Sequence, residues 1–576
     1  MAKKFPWLKL GKKTDPELPV EPPIWLGDHS NGEYYHFQTP NEARMRKEIL
    51  RRAEVTSRKL GMDRRSFLAS SMGMMTTLAV FNQMGCGSDE NSGGGGSGGS
   101  GGSGGNKIFD FEDGPYVVPP GSTCDPAHPA LSDQEYFIFD VQTHSFDDGE
   151  WRTKGLGYPL FLNFFSNCID LLPGANKLDC LDQRHYAEQM FLDSDTTMAV
   201  ITSWPASQCT NERKVLGNEA LACGLPLSNI AMRNLRNWLN QLARSERLIN
   251  QVQVMPNDVL ELQLEGMYAA VEDKEWRCGS WKLYPAWKSD TYRDKNGYAS
   301  GFFLTDPVGI AVVEAGLKLG VPNFAVHKGL PIPGFDVEHN QPTDIGPIAK
   351  RFPEANFVVY HSGIAAGKPS GRGSLINSVI PPVTEDVPYD AKDPNPYGVN
   401  QLIRSLITSG LIDDPDKPTG VKAKRLNVFA EMGTAWLMNL GDPNRAQHYI
   451  GKLLKYLGPD NIVWGTDSIL TGSPAAQITA FKAFTITQEY QDKYGYPAIT
   501  NAMKAKIFGL NAAKLYRIDV EAERCTFQKS ELAQLKRDMD GELGPNRWTH
   551  RVPPGPRNPE EFAAHARVHD RKRVPG

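Results

Sequence analysis

Six strand-like runs in this sequence end in residues that can bind a metal ion or move a proton. The first run ends in Gln142-Thr-His144, at a place where His-x-His is a common way to hold a divalent metal. The other five runs end in Lys282, His327, His361, Glu431 and Asp467. Three histidines and an aspartate that meet at one point suit a divalent metal with mixed nitrogen and oxygen ligands.

Each of these residues also has a simpler explanation. A lone histidine at a strand end can cap or pack, and Asp467, which follows Gly-Thr, can be a helix N-cap. Lys282 can simply pair with a carboxylate. The joint placement of the residues at strand ends favours a shared site. Gln142 weakens the metal hypothesis without ending it, because a neutral amide oxygen is a poorer ligand than imidazole or carboxylate.

The elements that position these residues form a regular alternation. Eight short apolar runs bounded by turn residues are typical of strands buried on both faces: 136–141, 197–202, 248–255, 279–284, 323–326, 356–360, 426–430 and 461–464. Amphipathic stretches separate several of them, at 229–247, 258–272, 307–319 and 444–457. The alternation predicts an α/β fold, a (β/α)8 TIM barrel over residues 106–520. An open doubly wound sheet also fits, but no glycine-rich nucleotide turn follows the first strand.

Two long insertions, Ser145–Leu181 and Gly363–Asn400, leave the carboxyl ends of strands. Barrel active sites are built at that end, so the insertions either cover a substrate or decorate the surface. Aromatic residues in or near these loops indicate an apolar or aromatic ligand, or ordinary packing: Trp151, Phe161, Phe164, Phe165 and Trp204.

The N-terminal region predicts export. After an extension over residues 1–62, the segment 63–86 contains Asp63-Arg-Arg-Ser-Phe-Leu68 and an uncharged run, as in a twin-arginine signal. A single membrane anchor is the alternative, since about 20 apolar residues span a bilayer. Cys86 and the Gly/Ser linker that follows at 87–105 indicate a lipoprotein tethered by a flexible coil. We therefore expect a periplasmic or cell-surface protein that touches the membrane only through its signal or a lipid anchor at Cys86.

Composition excludes some partners. With 63 Lys+Arg, 67 Asp+Glu and a net charge of −4, the 576-residue chain is not a general nucleic-acid binder. Apart from Cys86 there are seven cysteines, an odd number that leaves at least one thiol free, and no Cys-x-x-Cys pair that would indicate a zinc ribbon. The polar C-terminal extension, residues 521–576, is predicted to wrap the barrel or to be partly disordered.

Three longer segments resemble the amidohydrolase-related family (amidohydrolase family 2). Residues 342–363, ending in Val-Val-Tyr-His-Ser-Gly, look like its fifth helix and sixth strand. Residues 457–467, Leu-Gly-Pro-Asp-Asn-Ile-Val-Trp-Gly-Thr-Asp, are similar to its last strand, and residues 508–516 to its closing helix. Within the family, the signature resembles the aminocarboxymuconate-semialdehyde and resorcylate decarboxylases.

The resemblance implies a site and its chemistry. One divalent metal, zinc or else manganese, would be held by Gln142, His144, His327 and Asp467, with His361 as the acid/base beside a metal-bound water. Lys282 would bind a substrate carboxylate or oxyanion, or be carboxylated and bridge two metals. Glu431 would be a further acid/base or a hydrogen-bond partner.

We expect a metal-dependent hydrolase that acts on an amide, ester or lactone bond of a small molecule. One alternative is a non-oxidative decarboxylase of an aromatic or unsaturated carboxylic acid. The other is an exported, non-catalytic binding protein with a degenerate metal site. The sequence leaves a homodimer open.

Overall fold

A computed structural model of the protein describes residues 29–30, 35–36, 40–59, 63–68, 76, 136–145, 181–202, 227, 229–330, 335–364, 387–520, 531–543, 556 and 558–573. The chain divides into two compact units. One comprises Met1–Gly104 with Arg537–Arg547, and the other Gly105–Lys536 with Trp548–Gly576.

The second unit contains eight parallel strands, divided between a three-stranded and a six-stranded sheet because the third strand is interrupted, and each strand coincides with one of the apolar runs. They are β1 Phe139–Thr143, β2 Met198–Ile201, β3 (Leu248–Asn250 and Val252–Gln253), β4 Trp281–Leu283, β5 Asn323–His327, β6 Asn356–Tyr360, β7 Val428–Glu431 and β8 Ile462–Val463. Neighbouring strands pair in parallel from β1 to β2 to β3, and from β3 through β4, β5, β6 and β7 to β8. The strands are buried along their length, which explains their continuous apolar character.

Hydrogen bonds between the first and last strands close the sheet. The Val141 N–H donates to the Trp464 carbonyl over 3.0 Å, and the Asp467 N–H donates to the Gln142 carbonyl over 2.9 Å. Thr143 and Ser468 form a parallel bridge just beyond. The sheet is therefore a closed (β/α)8 barrel, and the predicted fold class is confirmed.

Helices follow the strands and cover the outside of the barrel. In this unit they are α3 Gln183–Ala187, α4 Asn229–Ala243, α5 Leu260–Glu272, α6 Pro307–Lys318, α7 Val337–Asn340, α8 Ile345–Arg351, α9 Val399–Thr408, α10 Gly433–Asn439, α11 Pro443–Tyr456, α12 Ala475–Ala483, α13 Gln488–Tyr494, α14 Asn501–Ala505 and α15 Asn511–Tyr516. π-helical turns extend α3 over Glu188–Leu192 and α14 over Lys506–Leu510. The four predicted amphipathic stretches correspond to α4, α5, α6 and α11. An antiparallel pair, Ser289–Arg293 with Ala299–Ser300, was not predicted.

Two helices lie in the C-terminal extension, α16 Glu531–Leu543 and α17 Pro559–Arg573. Phe562 and Ala566 of α17 are buried in the same apolar cluster as the barrel. The Phe562 ring lies 5.2 Å from the ring of Phe484, centroid to centroid. At least this part of the extension therefore packs on the barrel.

The first unit contains a pair of helices, α1 Pro40–Lys59 and α2 Arg64–Leu68, and a short antiparallel pair, His29–Ser30 with Tyr35–His36. Met45, Ile49 and Ala53, spaced four residues apart on α1, bury Phe67 and Leu68 of α2. The segment predicted to be a twin-arginine signal thus begins as a helix packed on α1. No helix in the described ranges combines the length and apolar character needed to cross a bilayer.

Several predictions fall outside the residues that the structure describes. They concern the run after Leu68 apart from Thr76, Cys86 with the linker at 87–105, and most of the two insertions with their aromatic residues. Among the described residues, Cys278 is a free thiol, and burial raises its pKa to about 12.

Candidate functional site

The barrel brings all seven predicted site residues to the carboxyl end of the strands. Gln142 lies in β1, Lys282 in β4, His327 and Glu431 end β5 and β7, and His144, His361 and Asp467 follow β1, β6 and β8. Every one of these side chains is buried, and Asp467 is the most exposed at 8%. The convergence follows from the closed parallel sheet, because one end of the barrel gathers the residues at which the strands end.

Asp467 is the hub of the site. Its Oδ1 accepts a hydrogen bond from Gln142 Nε2 over 2.8 Å and lies 2.9 Å from His144 Nε2. Its Oδ2 accepts from the Thr434 hydroxyl over 2.5 Å. Burial by itself would raise the pKa of Asp467, but the contacts with His144 and Thr434 outweigh it and hold the pKa well below its usual value. Asp467 is therefore an ionised carboxylate whose two oxygens both have donors.

Lys282, in β4, has no hydrogen-bond partner among the described residues. Its side chain is fully buried, and Nζ lies over the ring faces of Tyr360 and Tyr284, at 3.5 and 4.6 Å from the centroids. Burial lowers the pKa of Lys282 well below its usual value, although the charges of Glu431 and Asp467 oppose the shift. An unpaired buried amine is costly, so this group is poised for an acceptor supplied from outside the chain.

Two histidine rings, those of His327 and His361, are in edge-to-face contact near Asp467. The His327 and His361 centroids are 4.5 Å apart, at an interplanar angle of 67°. His327 Nε2 lies 3.3 Å from the Leu330 carbonyl oxygen, and His361 Nδ1 has no hydrogen-bond partner in the part of the chain that the structure describes. Burial, aided by Lys282, lowers the pKa of His361 to about 4 and that of His327 well below its usual value. Both imidazoles are therefore neutral at pH 7.

Glu431 holds the turn that presents His361. Its carboxylate accepts the backbone N–H of His361 over 2.9 Å and that of Gly433 over 2.5 Å. His361 and Ser362 both have positive φ, 64° and 52°, a conformation that needs such support. The sequence leaves open whether Glu431 is an acid/base or a hydrogen-bond partner. These contacts are those of a hydrogen-bond partner.

Asp140 is a site residue that the sequence reasoning missed. Its carboxylate accepts the backbone N–H groups of Gln142 and Thr466, over 3.1 and 3.2 Å, and the Thr466 hydroxyl. Burial raises the pKa of Asp140 to about 7. Asp140 therefore ties β1 to the segment that carries Asp467. The sequence does carry a signal for this residue. Asp140 is an acidic residue inside an apolar strand, and it lies on the same face as Gln142, two positions before it.

The close approach of Glu431 to Gly465 gives a testable prediction. A Cβ at Gly465 would overlap Glu431 Oε1. We expect Gly465→Ala to lower the free energy of unfolding by about 1–3 kcal/mol, because the packed core cannot absorb the extra atom. Urea unfolding measures this change. Gly441→Ala is the matched control, since nothing lies within 4 Å of a Cβ there. Equal stability of the two variants would contradict the packing around Glu431.

Comparison with known proteins identifies one family. Residues 419–518, which contain β7, β8 and Asp467, match the model of the amidohydrolase family. The predicted resemblance to this family is thereby confirmed over these residues, which are about a sixth of the chain; enzymes of the family use a divalent metal ion. No curated protein matches the chain.

Solved structures with similarity to the chain include a 2,6-dihydroxybenzoate decarboxylase in complex with 2,6-dihydroxybenzoate (12% identity, TM-score 0.37, covering 66% of this chain and 99% of that one). Another is the 5-carboxyvanillate decarboxylase of Novosphingobium aromaticivorans with manganese and a nitrobenzoic acid (13%, 0.37, 67% and 97%). A third is a probable 2-pyrone-4,6-dicarboxylic acid hydrolase of Acinetobacter baumannii with citric acid (11%, 0.34, 66% and 99%). At this identity and TM-score, they carry no conclusion about the substrate of this chain.

The donor atoms of this chain do not fit the metal that the family uses. Across the described ranges, no three His, Cys, Asp or Glu side chains are grouped as ligands of one ion. Of the predicted ligands Gln142, His144, His327 and Asp467, His144 and Asp467 are in contact, while Gln142 directs its N–H at Asp467 and His327 approaches Leu330. The neutral amide of Gln142 spends its –NH2 group on Asp467, while its Oε1 is buried with no hydrogen-bond partner among the described residues. The role of these four residues as metal ligands stays a prediction.

Proposed function

We propose that this amidohydrolase-type barrel is a hydrolase that binds a small carboxylate through Lys282 and cleaves an amide, ester or lactone bond with His361 as the base. The observation that carries the proposal is the fully buried Lys282 amine, which has no acceptor among the residues that the structure describes and lies beside two neutral imidazoles. A substrate carboxylate or developing oxyanion would supply the missing acceptor.

His361 is suited to remove a proton from water. With a pKa of about 4 its imidazole is unprotonated near neutral pH. Asp467 and Glu431 position the base, one through Gln142 and the other through the His361 backbone N–H. Decarboxylation instead leaves a carbon that must be protonated, which requires an acid. The neutral resting state of His361 therefore favours hydrolysis.

A metal-bound water is the nucleophile that the family resemblance implies, with zinc or manganese as the ion. Because the donor atoms do not fit an ion, the proposed mechanism takes no step through a metal. The water is activated by His361, and the negative charge that develops is stabilised by Lys282.

Turnover in H2¹⁸O separates this proposal from its alternatives. The purified chain is incubated with aromatic and unsaturated carboxylates that carry an ester, amide or lactone group, and the products are analysed by mass spectrometry. One ¹⁸O atom is expected in the newly formed carboxylate of each turnover, and none in a released alcohol or amine. Release of carbon dioxide with no label in the organic product would indicate a decarboxylase. Saturable binding without turnover would indicate a non-catalytic binding protein.

We also propose export by the twin-arginine route, with a lipid anchor at Cys86. The support is the Arg-Arg-Ser-Phe-Leu sequence of α2 and the cysteine and Gly/Ser linker beyond it. Replacing Arg64 and Arg65 by lysine is expected to leave the precursor in the cytoplasm in a cell-fractionation experiment. The control replaces Arg51 and Arg52 of α1, a neighbouring pair bound to Glu48, and should export normally. Normal export of both variants would refute the signal.

A further inference from the structure

We infer that the amide of Gln142 holds this site together in place of a metal ion, so that the folded protein neither binds nor needs one. The inference goes beyond the proposed function, because it concerns how the site is built and applies whichever bond is cleaved.

Both carboxylate oxygens of Asp467 already have hydrogen-bonding partners in the chain. A carboxylate that ligates a metal offers a lone pair to the ion. Here Oδ1 already receives the Gln142 N–H at 2.8 Å and contacts His144 at 2.9 Å, and Oδ2 receives the Thr434 hydroxyl. All these groups are buried, so the contacts are not exchanged with water. An ion would have to displace charge-assisted hydrogen bonds, which are about twice as strong as neutral ones.

The Gln142 side chain directs the nitrogen of its amide at Asp467. Its Nε2 lies 2.8 Å from Asp467 Oδ1 and 3.4 Å from His361 Nε2, so the same –NH2 group reaches the carboxylate and the neutral imidazole. Turning the amide by 180° would place an oxygen against the Asp467 carboxylate oxygen and would lose both contacts. The –NH2 donor is thus matched by an acceptor without a cation, while Oε1 of the same amide has no hydrogen-bond partner among the described residues.

His327, the remaining candidate ligand, approaches a backbone carbonyl. His327 Nε2 lies 3.3 Å from the Leu330 carbonyl. Together with the lack of any three grouped His, Cys, Asp or Glu side chains in the described ranges, this leaves no preformed cage for an ion. The buried amine of Lys282 lies near His327 and is a second reason against an ion, because the two would share the same space.

Gln142→Glu is the sharpest test, because it keeps the shape of the side chain but exchanges the donor for an anionic oxygen. Elemental analysis and thermal unfolding are measured for the full chain with chelator, with Zn²⁺ and with Mn²⁺. For the unchanged chain we expect far less than one equivalent of metal and the same Tm in all three conditions. The variant should lose stability in chelator, because two carboxylates meet, and should gain about 4 °C when metal is added at 100 times its Kd.

Gln477→Glu is the matched control. Gln477 is also buried and donates through Nε2, but to the Thr466 carbonyl rather than to a carboxylate. This variant should lose stability in all three conditions without rescue by metal. One tightly bound equivalent of metal in the unchanged chain, lost in Asp467→Asn and accompanied by a fall in Tm on chelation, would overturn the inference. A Gln142→Glu variant that is as stable as the parent in chelator would also overturn it, because the amide would then not be the bridge.

Discussion

Replacing Lys282 by methionine should lower kcat/KM for a carboxylate substrate by about 100-fold or more and at the same time stabilise the fold. The loss of activity follows from removing the Lys282 amine that would bind the substrate carboxylate, an effect of about 2–5 kcal/mol for a buried contact to a charged group. The gain in stability follows because Nζ is buried without a hydrogen bond, and such a group costs about 1–3 kcal/mol. Steady-state kinetics and urea unfolding measure the two effects.

Lys328→Met provides the comparison. Lys328 is also fully buried, but its Nζ contacts Asp344 at 2.9 Å and donates to the His339 carbonyl at 2.7 Å. Replacing Lys328 leaves the buried Asp344 carboxylate without its charged partner, so the free energy of unfolding should fall by about 3–5 kcal/mol. If Lys282→Met instead destabilises the protein to a similar extent and leaves kcat/KM intact, Lys282 is a structural residue and the proposed binding role is wrong.

The second large effect is expected for His361→Asn. Without the base, kcat should fall by about 10²–10⁴-fold while KM changes little. Asparagine is the suitable replacement because it tolerates the left-handed conformation, φ 64°, that His361 adopts. The backbone N–H that Glu431 accepts is retained in the variant. The fold should therefore be preserved, and near-UV circular dichroism checks this.

The pH dependence distinguishes a base from a packing residue. Because the pKa of His361 is lowered to about 4, the active, unprotonated form prevails above that pH and is lost as the pH falls through it. The parent enzyme should show an acidic limb in kcat near pH 4, absent from the residual activity of His361→Asn. His448→Asn, at a buried histidine bonded to Tyr496, should keep the parental profile. An unchanged acidic limb in His361→Asn would exclude His361 as the base.

The fold was readable from the sequence because buried parallel strands are uniform. All eight strands coincide with short apolar runs, and α4, α5, α6 and α11 coincide with amphipathic stretches. The placement of functional residues at strand ends then follows from the closed sheet. The hairpin at residues 289–300 was missed, since its strands, Ser289–Arg293 and Ala299–Ser300, are polar and short.

The chemistry of the site was less readable, because it depends on contacts between strands distant in sequence. Gln142 and Asp467 are 325 residues apart, and residue type alone leaves open whether the amide offers its oxygen or its nitrogen. The support that Glu431 gives to His361 depends likewise on the pairing of β6 with β7. Thr434 follows β7 in a helix turn where no motif marks it as a partner of Asp467.

Calorimetric titration tests the central claim, that the pocket is a carboxylate site centred on Lys282. A panel of small aromatic and unsaturated carboxylates, with their amide or alcohol analogues as neutral controls, is titrated into the parent chain and into Lys282→Met. We expect at least one carboxylate to bind the parent and to bind the variant about 100-fold more weakly, with the neutral analogues affected little. Equal affinity of the parent and the variant for every carboxylate that binds would contradict the claim.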